Sequence, residues 1–263
     1  GKKGQGPGEY REVYDMIVDE SKNQVRLLSP FGSLYTYDLE GNFIKQNQLP
    51  EKSNYQAMEQ IGDNIMTWTI PVSSDEPCIT IVNADNGKEV SSLWKGPRIL
   101  NSLSGGSFYT YDGKTYFAPA FHNNEILEIT EDSLKLAYKW DFGKDNIDIS
   151  KYNFTLTDDN QAEEGRLMTD YLGNGTIPYL LGSQYQNSKY FYVCFSYGWF
   201  PNQTIKHLFY LKSDGKSFFF KDTQENISIR PQAFEEECIV QFASYDDLEA
   251  YKSILSPAEY QKI

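Results

Sequence analysis

Short apolar and β-branched runs alternate with turn residues along this chain, and the alternation begins in the first fifty positions. Tyr14–Asp19 (YDMIVD) and Gln24–Leu28 (QVRLL) flank the polar turn Glu20–Asn23. Ser33–Asp38 (SLYTYD) follows, and Leu39-Glu40-Gly41-Asn42 turns the chain into Phe43–Gln46. Asp and Gly supply the backbone angles that a tight hairpin needs. Four short strands with turns this dense predict one antiparallel meander. A lone meander buries too little surface to stand alone, so similar units should follow it.

They do. The turn between the third and fourth strand recurs at Asn83–Gly87, at Glu131-Asp132-Ser133 and at Ser213-Asp214-Gly215. Gly41, Gly87 and Ser133 stand 46 residues apart; Gly215 comes later by the same step plus an insertion of 36 residues, which fits Lys144–Thr176. A period of about 40–50 residues with four strands per unit is the signature of propeller blades. The predicted fold is therefore all-β: a β-propeller of four-stranded antiparallel blades with short helical insertions. One domain spans residues 1–263, with blades near 10–49, 55–95, 107–142 and 178–221, an incomplete one at 227–263 and the insertion at 144–176.

The second unit has strands at Ala57–Ile61, Asn64–Ile70, Cys78–Val82 and Glu89–Trp94, with the polar loop Pro71–Pro77 expected to be exposed. The third has Phe108–Tyr111, Thr115–Ala118, Glu125–Thr130 and Leu134–Asp141. Within the insertion, Asp158–Leu172 reads as a short helix with Gly173 just past its end. The last unit begins with strands at Ile227–Arg230 and Glu237–Ala243. Ser244–Ile263 is then helical, opened by a capping box at Ser244 with Asp247 in the role of Glu and by a second one at Ser256 before Pro257.

The entry loop Gly4–Tyr10 (GQGPGEY), the run YDMIVDESKNQVRLL and the hairpin YTYDLEGNFIK carry a resemblance. The chain resembles a family of six-bladed, distantly NHL-like β-propeller proteins exported by Gram-negative gut anaerobes, many of them lipoproteins of unknown function. The resemblance implies a periplasmic or outer-membrane, cell-surface location. It also implies a blade and a lipoprotein signal before the entry loop, and a closing strand after the C-terminal helices. None of these is in this chain, which reads as a fragment because Gly1 does not look like a native N-terminus. Membrane attachment would come only through that absent lipid anchor.

Composition narrows the function. There are 24 basic against 37 acidic residues, a formal charge of −13 spread along the chain. That balance argues against nucleic acid or anionic membranes as bulk electrostatic partners. No apolar run reaches the length of a membrane span. Cys78, Cys194 and Cys238 lie far apart in apolar surroundings and read as small buried side chains, with no spacing for zinc. The glycine-rich entry loop lacks the GK[ST] of a phosphate loop. No HExxH, nucleophile elbow or Cys–His pairing stands out. No catalytic residue, metal site or cofactor is read from the sequence.

Three functional classes follow. The first is a non-enzymatic binding or interaction protein of the cell envelope, with a glycan, peptide or protein partner. Its candidate contact residues, from loop placement, are Glu9, Tyr10 and Arg11, then His122 and Asn123, then Trp199. The second is a propeller hydrolase or lyase, a lactonase or glycosidase, with a carboxylate-lined or metal-lined central channel. The third is a scaffold at the cell surface. His122 reads better as a loop histidine bonded to backbone or water than as a ligand. Eight aromatics between Tyr185 and Phe200 are either a stacking platform or the filling between two sheets, and strand periodicity favours the filling. His207 reads as an ordinary strand residue.

Overall fold

The computed structural model describes residues 2–4, 6, 8–52, 54–70, 77–94, 106–119, 124–146, 166, 169, 173, 175, 178–198, 201–223, 229, 231, 233–236, 239–241 and 243–260. Four four-stranded antiparallel meanders follow one another. The first is β3 (Asp15–Asp19), β4 (Gln24–Leu28), β5 (Ser33–Asp38) and β6 (Phe43–Gln48). The second is β7 (Tyr55–Ile61), β8 (Asn64–Thr69), β9 (Ile79–Asn83) and β10 (Glu89–Trp94). The third is β11 (Gly106–Tyr111), β12 (Lys114–Pro119), β13 (Glu125–Ile129) and β14 (Leu134–Lys139). The fourth is β15 (Tyr179–Gln186), β16 (Tyr190–Tyr197), β17 (Thr204–Leu211) and β18 (Ser217–Phe220). A two-stranded ladder, β19 (Ala233–Phe234) with β20 (Ile239–Val240), comes next.

The first strand of each sheet packs against the first strand of the next: β3 on β7, β7 on β11, β11 on β15 and β15 on β19. Sheets that meet successively through their first strands radiate from a common axis, which is the propeller arrangement. The spaces between them are filled by alternating side chains. Leu28 and Leu34 of the first sheet meet Met58, Ile65 and Val82 of the second. Met66, Ile79 and Ile81 on the second sheet's other face meet Phe117 and Ile129 of the third. Tyr109, Tyr116 and Ile126 of the third meet Val193 and Phe195 of the fourth.

The repeating turn is where glycine is needed. Gly41, Gly87 and Gly215 each hold a positive φ between the third and fourth strands of their sheets. The third sheet makes the same turn without glycine. There the Thr130 N–H donates to the Ser133 carbonyl, and the Thr130 hydroxyl bonds Asp132.

Asp15 and Asp19 join the first two sheets. Asp15 Oδ2 accepts the Met58 N–H at 2.7 Å, bridging β3 to β7. Asp19 is ion-paired at 2.8 Å with Arg26, a fully buried guanidinium that also donates to Gln60 on β7. Several hydrogen bonds around the pair offset the cost of taking two charges out of water.

The entry loop also docks on the first sheet. β1 (Lys2–Lys3) pairs in parallel with β2 (Glu9–Tyr10). The Tyr37 hydroxyl donates to the Gly8 carbonyl. A Cβ at Gly8 would fall 2.6 Å from the Phe43 ring, so the loop can lie on β6 only with glycine there.

The helices follow the sequence in part. α1 (Tyr245–Ile254) opens with the predicted capping box: Ser244 Oγ accepts the Asp247 N–H and the Asp247 carboxylate accepts the Ser244 N–H. α2 (Pro257–Tyr260) begins on its proline. In the insertion, Arg166, Thr169 and Gly173 are helical, so Gly173 is itself helical where the sequence put it just past a helix end. Of the strand expected at Glu237–Ala243, Ile239–Val240 is strand among the described residues, and β19 was not foreseen. Cys78 and Cys194 are buried free thiols; Cys238, the loop at 71–76 and most of 227–230 lie outside the described residues. Among the described residues, no helix is long and apolar enough to cross a membrane.

Candidate functional site

The fourth sheet carries the site. Pairing on β16 and β17 sets Phe191, Val193 and Phe195 on one face beside Tyr210, Leu208 and Lys206. Tyr190, Tyr192 and Cys194 lie on the other face beside Leu211, Phe209 and His207. β18 adds Phe218 and Phe220 to the second face. The first face is core where it meets the third sheet, while Tyr210 and Phe219 at its outer edge are exposed. Phe191 packs on Tyr138, and Phe195 on Phe142, at centroid distances of 4.6 and 5.1 Å.

Among the described residues, the second face is only partly covered. Phe234 of β19 packs on Tyr185, Tyr192 and Phe209 at 5.2–5.9 Å. Asn187 clamps the same end. Its Nδ2 donates to the Glu235 carbonyl, and its Oδ1 accepts the N–H groups of Lys189 and Tyr190. Ser188 N–H donates to the Glu236 carboxylate. Beyond this anchor lies a cleft of about 710 Å³, walled by Tyr190, Phe209, Leu211, Phe218, Phe220 and Ile239. Phe218 is 51% exposed and Ile239 41%. Asn187, Lys189 and Glu236 bring polar groups to one end.

That end runs into a smaller hollow of about 350 Å³ lined by Ser188, Lys189, Tyr190, Leu211, Lys212 and Ser213. Lys212 is held in place from three sides. Its ammonium donates to Gln186 Oε1 at 3.0 Å and stands 4.3 Å from the ring centres of both Tyr111 and Phe191. Gln186 in turn donates to the Tyr109 hydroxyl, which shares a 2.6 Å hydrogen bond with Tyr138. Desolvation lowers the Lys212 pKa against the opposing charges of Glu236 and Asp112. Burial raises the pKa of both phenols, so they stay neutral donors and acceptors.

Farther along the second face, Tyr192, Cys194 and His207 are buried. The Tyr192 hydroxyl and His207 Nδ1 lie 2.9 Å apart, and His207 stacks on Phe220. Burial pushes the Cys194 thiol up to about 11, so it is not a thiolate at neutral pH, and burial depresses the His207 pKa, so its imidazole stays neutral with Nδ1 engaged by Tyr192. Near the axis, burial raises the pKa of Asp15 and of Glu59, and the charge of Asp15 adds to the rise at Glu59. The Asp15 oxygens are already engaged by Met58 N–H and Met16 N–H, and Glu59 Oε1 by Gln60 N–H. These carboxylates bind backbone. Among the described residues, no group of three or more His, Cys, Asp or Glu side chains could hold a metal ion.

Of the contact residues read from the sequence, Glu9, Tyr10 and Arg11 lie in and just beyond the entry loop. Glu9 folds over its own loop, accepting the Gly6 N–H at 2.9 Å and pairing with Lys2. Tyr10 lies in β2, with its carbonyl accepting the Gly4 N–H, and Arg11 is exposed just beyond it. These three belong to the first sheet's edge and not to the cleft. His122, Asn123 and Trp199 lie outside the described residues. Phe218, Phe220 and Lys212 were not singled out. The signal that could have found the phenylalanines is the run Phe218–Phe220, three consecutive aromatics on a short strand that cannot all face one side.

No curated protein matches this chain. Among solved structures it is similar to a member of the DUF4221 family from Bacteroides vulgatus, with a TM-score of 0.57 and 9% identity over 84% of this chain and 70% of that one. It also aligns with BamB from Moraxella catarrhalis, at a TM-score of 0.45 and 11% identity over 80% of this chain and 54% of that one. A protein of unknown function from Bacteroides caccae aligns at 0.41 and 10% identity, over 80% and 61%. At such identities the likeness concerns fold alone. Over residues 1–263 the sequence matches the family described as "Domain of unknown function (DUF4934)", and the chain belongs to that family.

Proposed function

We propose that this protein is a non-enzymatic binding module of the cell envelope that holds an extended peptide segment of a partner protein in the cleft on the fourth sheet. The observation that carries the reading is the cleft wall. Phe209, Phe218, Phe220, Leu211 and Ile239 offer a continuous apolar trough, with polar side chains at one end only. A glycan needs hydrogen-bonding partners along its whole length, whereas apolar peptide side chains need area and shape. The envelope location rests on the resemblance of the entry loop and first repeat to exported propeller proteins. Six blades and the NHL-like relationship belong to the same proposal.

The test is paired peptide and glycan arrays probed with the protein and with Phe218→Ala. Saturable binding to apolar peptides, weakened at least tenfold by Phe218→Ala, is the expected result. Binding confined to glycans, or binding indifferent to Phe218, would overturn the reading.

A further inference from the structure

We infer that the peptide binds by strand addition: it pairs with the free edge of β20 as a third strand beside β19 and β20, and turns alternate aliphatic side chains onto Phe218 and Phe220. The inference rests on the peptide reading above and adds how the segment is held and what sets its register.

The fourth sheet carries a row of four aromatics across its strands. Tyr185 stands opposite Tyr192, Tyr192 opposite Phe209, and Phe209 opposite Phe218. Phe234 of β19 packs on the first three rings. Phe218, the fourth, stays 51% exposed. In the covering ladder, Phe234 stands opposite Ile239. Directly opposed residues share one face of a sheet. Ile239 therefore points the same way as Phe234, and it walls the cleft. A further strand, about 4.8 Å beyond β20, would carry the same line of side chains outward onto Phe218.

The other sheet-to-sheet interfaces show what fills this position. Where the first and second sheets meet, Val82 of the third strand β9 joins Leu28 and Leu34 in the core. Where the second and third meet, Ile129 of β13 joins Ile79 and Ile81, and Leu127 packs against them. Where the third and fourth meet, Leu208 of β17 packs into the cluster of Tyr109 and Ile126. Each time, aliphatic side chains from the third strand of the later sheet close the gap. In β13 they stand two positions apart, as strand alternation requires. Among the described residues, the ladder that follows the fourth sheet has no third strand, and β20 pairs with β19 only. An extended segment placed there gains main-chain hydrogen bonds from the free edge of β20. Its alternate side chains gain burial on Phe218 and Phe220. In strand addition the first of these supplies affinity and the second specificity.

The probes are heptapeptides capped at both ends, with Val or Ile at the second, fourth and sixth positions and Ser between. A control has the same residues with the three aliphatics consecutive. Two further versions of the alternating peptide carry N-methyl groups, one on the even amides and one on the odd. Successive strand amides point to opposite edges, so one set faces β20 and the other faces away. Affinity is measured by calorimetry on the whole chain. The alternating peptide should bind at least tenfold more tightly than the control. Methylating one set should abolish binding, and methylating the other should leave it in place. On binding, exchange of the β20 amide that points away from β19 should slow, as followed by NMR. The changes sit in the probes, so the folding of a variant does not enter the result.

Equal effects of the two methylated sets, or equal affinity for the alternating peptide and the control, would overturn strand addition and leave the peptide cleft standing. An outward β20 amide already protected in the free protein would also overturn it. Sedimentation would then separate a second copy on that edge, which gives a dimer, from a strand of the same chain, which gives a monomer. Failure of every peptide to bind would sink both readings.

Discussion

The two faces of the fourth sheet are made from the same kind of residue and end in different states. Phe191 and Phe195 close against Tyr138 and Phe142 of the third sheet. On the other face Phe209 packs on Phe234, and Phe209, Phe218 and Phe220 line a cleft. Strand alternation puts aromatics on both faces without regard to what lies opposite. What differs is the neighbour: a four-stranded sheet on one side, a two-stranded ladder among the described residues on the other. An aromatic run is thus both core and surface, and the partition between them follows the packing partner.

The comparison breaks first at Phe195. Phe195→Ala empties a fully buried site and should cost about 3–5 kcal/mol in urea denaturation. A loss below about 1 kcal/mol would mean the closed face is not the core it is drawn as here. Next comes the anchor. Asn187→Ala removes the bond to Glu235 and two turn bonds, and should cost about 1–3 kcal/mol. Amide exchange should quicken across β19 and β20 while β11–β14 stay protected; uniform acceleration would place the anchor elsewhere.

A smaller effect concerns acid. His207 is buried under Phe220, and burial holds its pKa below the usual 6.5 while the charge of Asp222 opposes the shift. As pH falls below about 6.5 the unfolded chain binds a proton that the folded chain resists, so stability falls with it. His207→Gln should flatten that slope in denaturation curves between pH 7.5 and 5; an unchanged slope would assign it to other groups. The smallest effect belongs to the open face. Phe218→Ala should stay within about 0.5 kcal/mol of wild type in stability while losing ligand affinity. A large stability loss would show that Phe218 is covered after all.

Much of the fold was legible because it is local. β4, β5 and β10 have the bounds that their apolar runs and flanking turns predict, and the turn spacing located the later sheets. β19 was missed because Ala233–Phe234 is two residues in a polar stretch, too short to show alternation. The cleft was missed for a different reason. Lys212, Gln186, Tyr109 and Glu236 are scattered over a hundred positions, and no spacing links them. Loop placement instead pointed to Glu9, whose carboxylate turns out to fasten its own glycine loop.

Hairpin chemistry and two-residue periodicity, written in neighbouring positions, determined by themselves that this chain forms successive four-stranded meanders. Which face of a meander closes and which stays open was decided only when the sheets met around their axis. A side chain's burial depends on atoms contributed from far along the chain, and desolvation, ring contacts and the setting of Lys212 all arise from that meeting.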